Sequence, residues 1–149
     1  MDAELVNEVR LQVLRTTIDT TAVPSALETA AVLGIRGEQA IEAYRKLGDG
    51  HVYVTEPADP TRLRMANPFS AVPTGFRVET RGKSYYGNCV WDALGVVSLM
   101  GGNGQVKTGC PDCGEALTLV ISGDELVQKE GLVHFSVPAA HWWDDIVYT

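Results

Sequence analysis

The sequence predicts an α+β fold in which an N-terminal winged-helix-like three-helix unit precedes a mixed β-sheet core with an inserted helix. Three observations lead to this prediction. Apolar residues at helical spacing fill the first third of the chain, short β-rich runs between turn residues fill the rest, and one apolar helical segment interrupts those runs. With 149 residues and 45% apolar side chains, the chain can bury a sizeable core.

Three helices are predicted before residue 50. Apolar residues three or four positions apart predict the first helix over residues 4–17. The second helix is predicted over residues 24–33, with a proline in its first turn and Gly34 as the stop. The third lies in "IRGEQAIEAYRKLGDG" and ends at Gly48.

Two short strands are predicted in "HVYVTEPADPTRLRMA", around a loop that contains proline. Three helices followed by a β-hairpin is the order of a winged helix, which suggests DNA binding. The charges argue against nucleic acid, because Glu38 and Glu42 offset Arg36, Arg45 and Lys46 and the whole chain carries a net charge of −7. A structural or protein-contacting role is favoured for this unit.

A linker is predicted at residues 66–76, "ANPFSAVPTGF", so the chain divides into an N-terminal unit, residues 1–67, and a core, residues 68–149. The core is predicted to be mostly β, with a helix beginning near Cys89. Its strands are predicted at residues 76–80, 83–86, 105–108, 116–121 and 132–137.

No secretory signal and no membrane span are expected, because the N-terminus is acidic and apolar runs are short. We therefore expect a cytoplasmic protein. In a reducing compartment the three cysteines stay free for packing, metal binding or catalysis.

Cys89 and Asp92 are the candidate catalytic residues, within "YYGNCVWDALG". If Asn88 caps the helix, Cys89 lies in its first turn, where backbone N–H groups stabilise a thiolate, and Asp92 lies on nearly the same face. The alternative is packing, because aspartate is common in first turns and free cysteine is often buried.

Cys110 and Cys113 form a second candidate site in "CPDCGE", whose spacing is typical of a metal knuckle. A closed zinc site needs four ligands, so Cys89 and one histidine would have to complete it. The candidates are His51, His134 and His141. The alternative is a tight turn between two strands.

Trp142 and Trp143 follow His141 in a short helix-like segment, and a lid packed on the core is favoured for them over a cofactor box. Such a lid would be able to shield the thiols from water. His134 alternates with apolar neighbours in a predicted strand, so a half-buried histidine is favoured there over a metal ligand.

The stretches "YYGNCVWDALG", "CPDCGEALTLVI" and "VHFSVPAAHWWDDI", with the helical N-terminus and the "ANPFSAVPTGFRV" linker, resemble the alkylmercury lyase (organomercurial lyase) family. The resemblance implies cleavage of carbon–mercury bonds, with Cys89 as the catalytic cysteine and Asp92 as the catalytic acid. The family uses a second catalytic cysteine, and this sequence has no cysteine after Cys113. The resemblance is therefore to a divergent or C-terminally short member.

The function predicted from this resemblance is thiol-dependent protonolysis of a carbon–mercury bond, or of a related carbon–metal or carbon–heteroatom bond. Its partner is a small organometallic or related molecule, mercury is the substrate ion, and no organic cofactor is expected. Cys89, Asp92, Cys110 and Cys113 are the candidate metal-binding residues, and zinc or copper at the cysteines is the further metal expectation. The alternative is a non-catalytic soft-metal-binding or accessory protein that uses the three cysteines, and a metal-sensing winged-helix regulator is disfavoured by the acidic charge.

Overall fold

A computed structural model describes residues 2–128 and 131–147. The predicted α+β architecture is confirmed: N-terminal helices are followed by antiparallel sheets and an inserted helix. In chain order the elements are α1 Ala3–Thr20, α2 Ala26–Leu33, α3 Gly37–Asp49, β1 Tyr53–Glu56, β2 Asp59–Ala66, β3 Phe69–Ser70, β4 Arg77–Thr80, β5 Lys83–Tyr86, α4 Val90–Leu99, β6 Gly104–Gly109, β7 Ala116–Ser122, β8 Glu125–Leu126 and a 3₁₀ helix Ala139–Asp144.

Helices α1 and α2 both begin at residues suited to the N-cap position. Asp2 caps α1, and Ser25 forms a capping box with Glu28 at the start of α2. Helix α2 therefore begins after Pro24 rather than at it, and Gly34 ends it in the left-handed conformation as predicted. No helix in residues 2–128 and 131–147 is long and apolar enough to cross a membrane.

The first sheet has the order β1-β2-β3, and all its pairs are antiparallel. It shares one buried cluster with α1, α2 and α3, to which the sheet contributes Tyr53, Leu63 and Ala66. Strand β3 lies inside the segment predicted to be only a linker, because Phe69 and Ser70 extend the sheet and are both buried.

The second sheet has the order β5-β4-β6-β7-β8, and its described pairs are also antiparallel. Helix α4 contacts β3, β4 and β6, and it buries Ala93, Val96 and Val97. The buried cluster between them also includes Phe69 from the first sheet and is contacted by Leu14 and Ile18 of α1. The two clusters therefore meet along α1 and around β3.

The strand predicted at residues 132–137 is wrong. The structure gives this segment no strand pairing, Leu132 is 99% exposed and His134 is exposed rather than half-buried. The position beside β7 is occupied by the two-residue strand β8. Alternating apolar residues predicted a strand, but a strand also needs a partner with free backbone groups.

Candidate active site

A close approach between the end of β5 and helix α4 positions the candidate catalytic residues. Gly87 pairs with Phe69, donates its N–H to the Phe76 carbonyl at 3.0 Å and accepts from the Thr74 hydroxyl at 2.6 Å. A Cβ atom at Gly87 would lie 2.5 Å from the backbone nitrogen of Ala93, so only glycine fits there. This close approach fixes where the chain enters α4, which begins three residues after Gly87.

Cys89 is the N-cap of α4, which corrects the prediction that Asn88 caps the helix. Cys89 has extended backbone angles, and its carbonyl accepts the first helical bond from the Ala93 N–H at 2.9 Å. Asp92 follows in the first turn. Asn88, Cys89 and Asp92 then lie within one capping turn, which brings the thiol and the carboxyl group together.

The thiol and the carboxyl group line one cavity of about 410 Å³. Aromatic and apolar side chains form most of its remaining wall, and one of them, Trp91, is 68% exposed. The other lining residues are His51, Met65, Asn67, Asn88, Phe135, Trp142, Trp143, Ile146 and Val147. A small apolar molecule entering this cavity would meet one thiol and one carboxyl group.

Burial dominates the electrostatics of the pair. It raises the pKa of the Cys89 thiol, and the nearby Asp92 carboxylate adds to that rise, while the Asp92 and Trp91 backbone N–H groups oppose it. Burial also raises the pKa of the Asp92 carboxyl group, against opposing interactions with the side chains of Asn88 and Cys89. Both groups thus hold a proton more readily than they would in water.

Asn88 is a site residue that the sequence analysis treated only as a helix cap. Its side-chain nitrogen donates to Asn67 Oδ1 at 3.1 Å, and the side chain also interacts with the Asp92 carboxyl group. Its Oδ1 atom is buried and has no hydrogen-bond partner in the described part of the chain. The position of Asn88 beside Cys89 was a signal in the sequence, whereas its link to Asn67 depends on the tertiary fold.

The C-terminal aromatic residues contribute one wall of the cavity. Trp143 stacks on His51 with ring centroids 4.2 Å apart, and Trp142 donates its indole N–H to the Val137 carbonyl at 2.8 Å. Phe135 packs against Trp142 at 4.9 Å. Both tryptophans line the cavity that contains Cys89, and their role as a lid stays a prediction. His51 was expected only as a possible metal ligand.

Cys110 and Cys113 are not part of this cavity. They lie in the turn between β6 and β7, and no group of three or more His, Cys, Asp or Glu side chains in residues 2–128 and 131–147 is placed to hold a metal ion. The idea that Cys89 and a histidine complete the "CPDCGE" knuckle is therefore wrong for the described residues. His141 instead contacts Asp144, at 2.9 Å.

Comparison with known proteins shows the family of this chain. The family model for MerB, alkylmercury lyase, matches residues 69–149, which is more than half of the chain. The chain belongs to the alkylmercury lyase family. The match includes Cys89 and Asp92, whereas His51, Met65 and Asn67 reach the cavity from the part of the chain before it.

A solved structure supports the fold of this alkylmercury lyase family member. The mercury-bound form of MerB2 has a TM-score of 0.66 to it at 17% sequence identity, over 86% of this chain. The chain spans 60% of that protein's length. The search of curated proteins finds no match.

Proposed function

We propose that this family member cleaves carbon–mercury bonds, with Cys89 as the mercury-binding nucleophile and Asp92 as the proton carrier. The observation that carries the proposal is the cavity of about 410 Å³ that one thiol and one carboxyl group of raised pKa line together. The mercury bound to MerB2 supports mercury as the metal.

Capture of the substrate is the first proposed step. Mercury(II) is a soft ion that prefers thiolate, so Cys89 Sγ bonds to the mercury of R–Hg–X and X⁻ leaves. The thiol must lose its proton in this step, because its pKa is raised and it is largely protonated in the free site. Asp92 in its ionised form accepts that proton, being the carboxylate that interacts with the thiol.

Protonolysis is the second proposed step. The protonated Asp92 delivers its proton to the carbon atom bonded to mercury, the carbon–mercury bond breaks, and R–H leaves while mercury stays on Cys89. Asp92 returns to its ionised form, so one proton has moved from the thiol to the hydrocarbon. The raised pKa of Asp92 suits this role because a group that binds a proton more firmly is better matched to transfer near neutral pH.

The cavity wall suits the organic group of such a substrate. Trp142, Trp143, Phe135 and Ile146 offer apolar and aromatic contacts to an alkyl or aryl group, while Cys89 holds the metal. Met65 supplies a second sulfur atom on the same wall, and a thioether is a soft donor for mercury. No step in this scheme uses an organic cofactor.

The division of labour between the two halves of the chain is also proposed. Residues 1–67 would form the winged-helix-like unit and residues 68–149 the lyase-like core, in line with the two buried clusters and with the family match to residues 69–149. The first unit would serve the site structurally, by supplying His51, Met65 and Asn67.

Two substitutions separate capture from proton delivery. In a Cys110→Ser/Cys113→Ser background, which leaves Cys89 as the one thiol of the chain, Cys89→Ser should abolish both tight phenylmercury binding and hydrocarbon release. Asp92→Asn should keep much of the binding but release hydrocarbon about 10²–10⁴-fold more slowly, because an amide cannot deliver an acidic proton. Ser98→Ala, a change at the exposed far end of the same helix, is the matched control and should behave like the wild type.

Binding would be measured for each variant by calorimetry without added thiol, because a free thiol also captures phenylmercury. Hydrocarbon release would be measured by gas chromatography in the presence of excess small-molecule thiol, which removes the mercury product. Equal turnover by the wild type and Asp92→Asn would contradict the role of Asp92. Tight binding through Cys89 with no hydrocarbon from the wild type would leave a soft-metal-binding protein in place of the lyase.

A further inference from the structure

The turn between β6 and β7 carries two thiols outside the proposed active site. The Cys110 N–H donates to the Glu115 carbonyl at 2.9 Å, and the Gly114 N–H donates to the Cys110 carbonyl at 2.9 Å. Gly114 has a φ of +74°, which a residue with a side chain rarely adopts. These bonds hold a closed turn at the end of the hairpin, with Cys110 and Cys113 on it.

Cys110 and Cys113 lie three positions apart on this closed turn. The side chains of Cys110 and Cys113 interact with each other, and the backbone N–H groups of Asp112 and Cys113 face the Cys110 sulfur. The N–H group of Cys113 is the largest of the causes that lower the pKa of the Cys110 thiol. Neither cysteine is in a disulfide, and Cys113 is exposed, so the pair is reachable from solvent.

The number of available ligands restricts what this pair can bind. A closed zinc site needs four ligands, and no third His, Cys, Asp or Glu side chain in the described residues joins the pair in a metal-sized cluster. Soft d¹⁰ ions such as mercury(II) and copper(I) differ from zinc because they form stable complexes with two thiolates alone. Two thiols on one closed turn, with Cys110 half-buried and Cys113 exposed, match that preference.

We propose that Cys110 and Cys113 form a second metal site, separate from Cys89, which holds one soft d¹⁰ cation between two thiolates. Binding of mercury(II) forms two sulfur–mercury bonds and releases one proton from each thiol that was protonated, so no oxidant or reductant takes part. The site does not depend on the proposed lyase reaction, because its ligand can be the free ion.

The test uses the full chain with Cys89→Ser, in which Cys110 and Cys113 are the remaining thiols. The reduced protein is titrated with mercury(II), and the sulfur-to-mercury absorption band and the native mass are recorded. We expect one mercury per chain, no cross-linked pair of chains, and only weak zinc binding. Cys89→Ser with Asp112→Asn is the matched control, because it keeps the backbone N–H groups of the turn, and it should bind mercury equally well.

Removing one thiol at a time measures how much the second thiol contributes to mercury retention. Two double variants keep one thiol each: Cys89→Ser/Cys113→Ser and Cys89→Ser/Cys110→Ser. Each should lose mercury to ~10 µM of a competing monothiol about 100-fold more readily than Cys89→Ser does, because a tethered second thiol acts at an effective concentration in the mM range. Circular dichroism would show that the variants remain folded.

Three results would overturn the proposal: equal retention of mercury by the one-thiol and two-thiol variants, a native mass of two chains per mercury, or zinc bound as tightly as mercury. The first would mean that the thiols act separately, the second that the turn does not chelate, and the third that further ligands close the site. Each result is independent of hydrocarbon release, so failure here and failure of the lyase reaction are distinguishable.

Discussion

Asn88→Ala provides a sharp test of how the cavity controls its proton. The side chain of Asn88 interacts with the Asp92 carboxyl group and opposes the rise in pKa that burial causes. If ionised Asp92 accepts the proton of Cys89, kcat/KM should rise with pH through the Asp92 pKa of the free protein. Asn88→Ala should raise that pKa further and therefore move the acid limb of the profile to higher pH.

The size of the shift follows from the bond that is lost. A hydrogen bond to a charged group contributes about 1.5–3 kcal/mol, and one pKa unit corresponds to about 1.36 kcal/mol, so the acid limb should move up by roughly 1–2 pH units. Asn88 also donates to Asn67, but Asn67 is not a titratable group, and the loss of that bond leaves the direction of the shift unchanged.

The assay is the pH dependence of kcat/KM for hydrocarbon release from phenylmercury, measured for the wild type, Asn88→Ala and the control Ser98→Ala. Ser98 lies on the same helix, where its hydroxyl donates to Asp124 at 2.8 Å. The control should keep the wild-type limb. An acid limb that stays in place or moves to lower pH in Asn88→Ala would refute the reasoning, because Asn88 would then not favour the ionised carboxylate.

Two further predictions concern the buried cluster of the N-terminal half and the wall of the cavity. Tyr44→Phe should lower the free energy of unfolding by about 1–3 kcal/mol in denaturant titrations, since the Tyr44 hydroxyl is hydrogen-bonded to both Thr29 and the Pro24 carbonyl. Tyr53→Phe should be neutral or stabilising, because the buried Tyr53 hydroxyl has no partner among the described residues. Equal losses of stability in the two variants would contradict this prediction. Trp143→Ala should raise KM for phenylmercury roughly 2–10-fold through loss of an aromatic wall, and an unchanged KM would place the substrate elsewhere.

Local sequence signals predicted those parts of the fold whose causes are local. The first three helices follow from apolar spacing with caps and stops close by in the chain, and the hairpin of β6 and β7 follows from β-rich runs around a turn. Strand β3 was not predicted because two residues are too few to show a strand pattern, and they form a strand only by pairing with β2. The predicted strand at residues 132–137 failed for the same reason, since its pattern had no partner.

The candidate site shows the same division between local and tertiary information. Cys89 and Asp92 share a helical turn, so their spacing predicted that they would meet. His51, Met65 and Asn67 come from the other half of the chain, and no local pattern indicates that they line the same cavity as Cys89. The cap was misplaced by one residue because Asn88, although a good N-cap by type, turns its side chain to Asn67.

The most direct test of the central claim is the fate of the proton that Asp92 is proposed to deliver. The wild-type protein would be incubated with phenylmercury and excess thiol in D₂O, and the benzene released would be analysed by mass spectrometry against Cys89→Ser, Asp92→Asn and a protein-free control. The proposed reaction predicts benzene that carries one deuterium, formed by the wild type far faster than by any of the three controls. Benzene formation by the wild type at the protein-free rate would contradict the claim that Cys89 and Asp92 cleave the carbon–mercury bond.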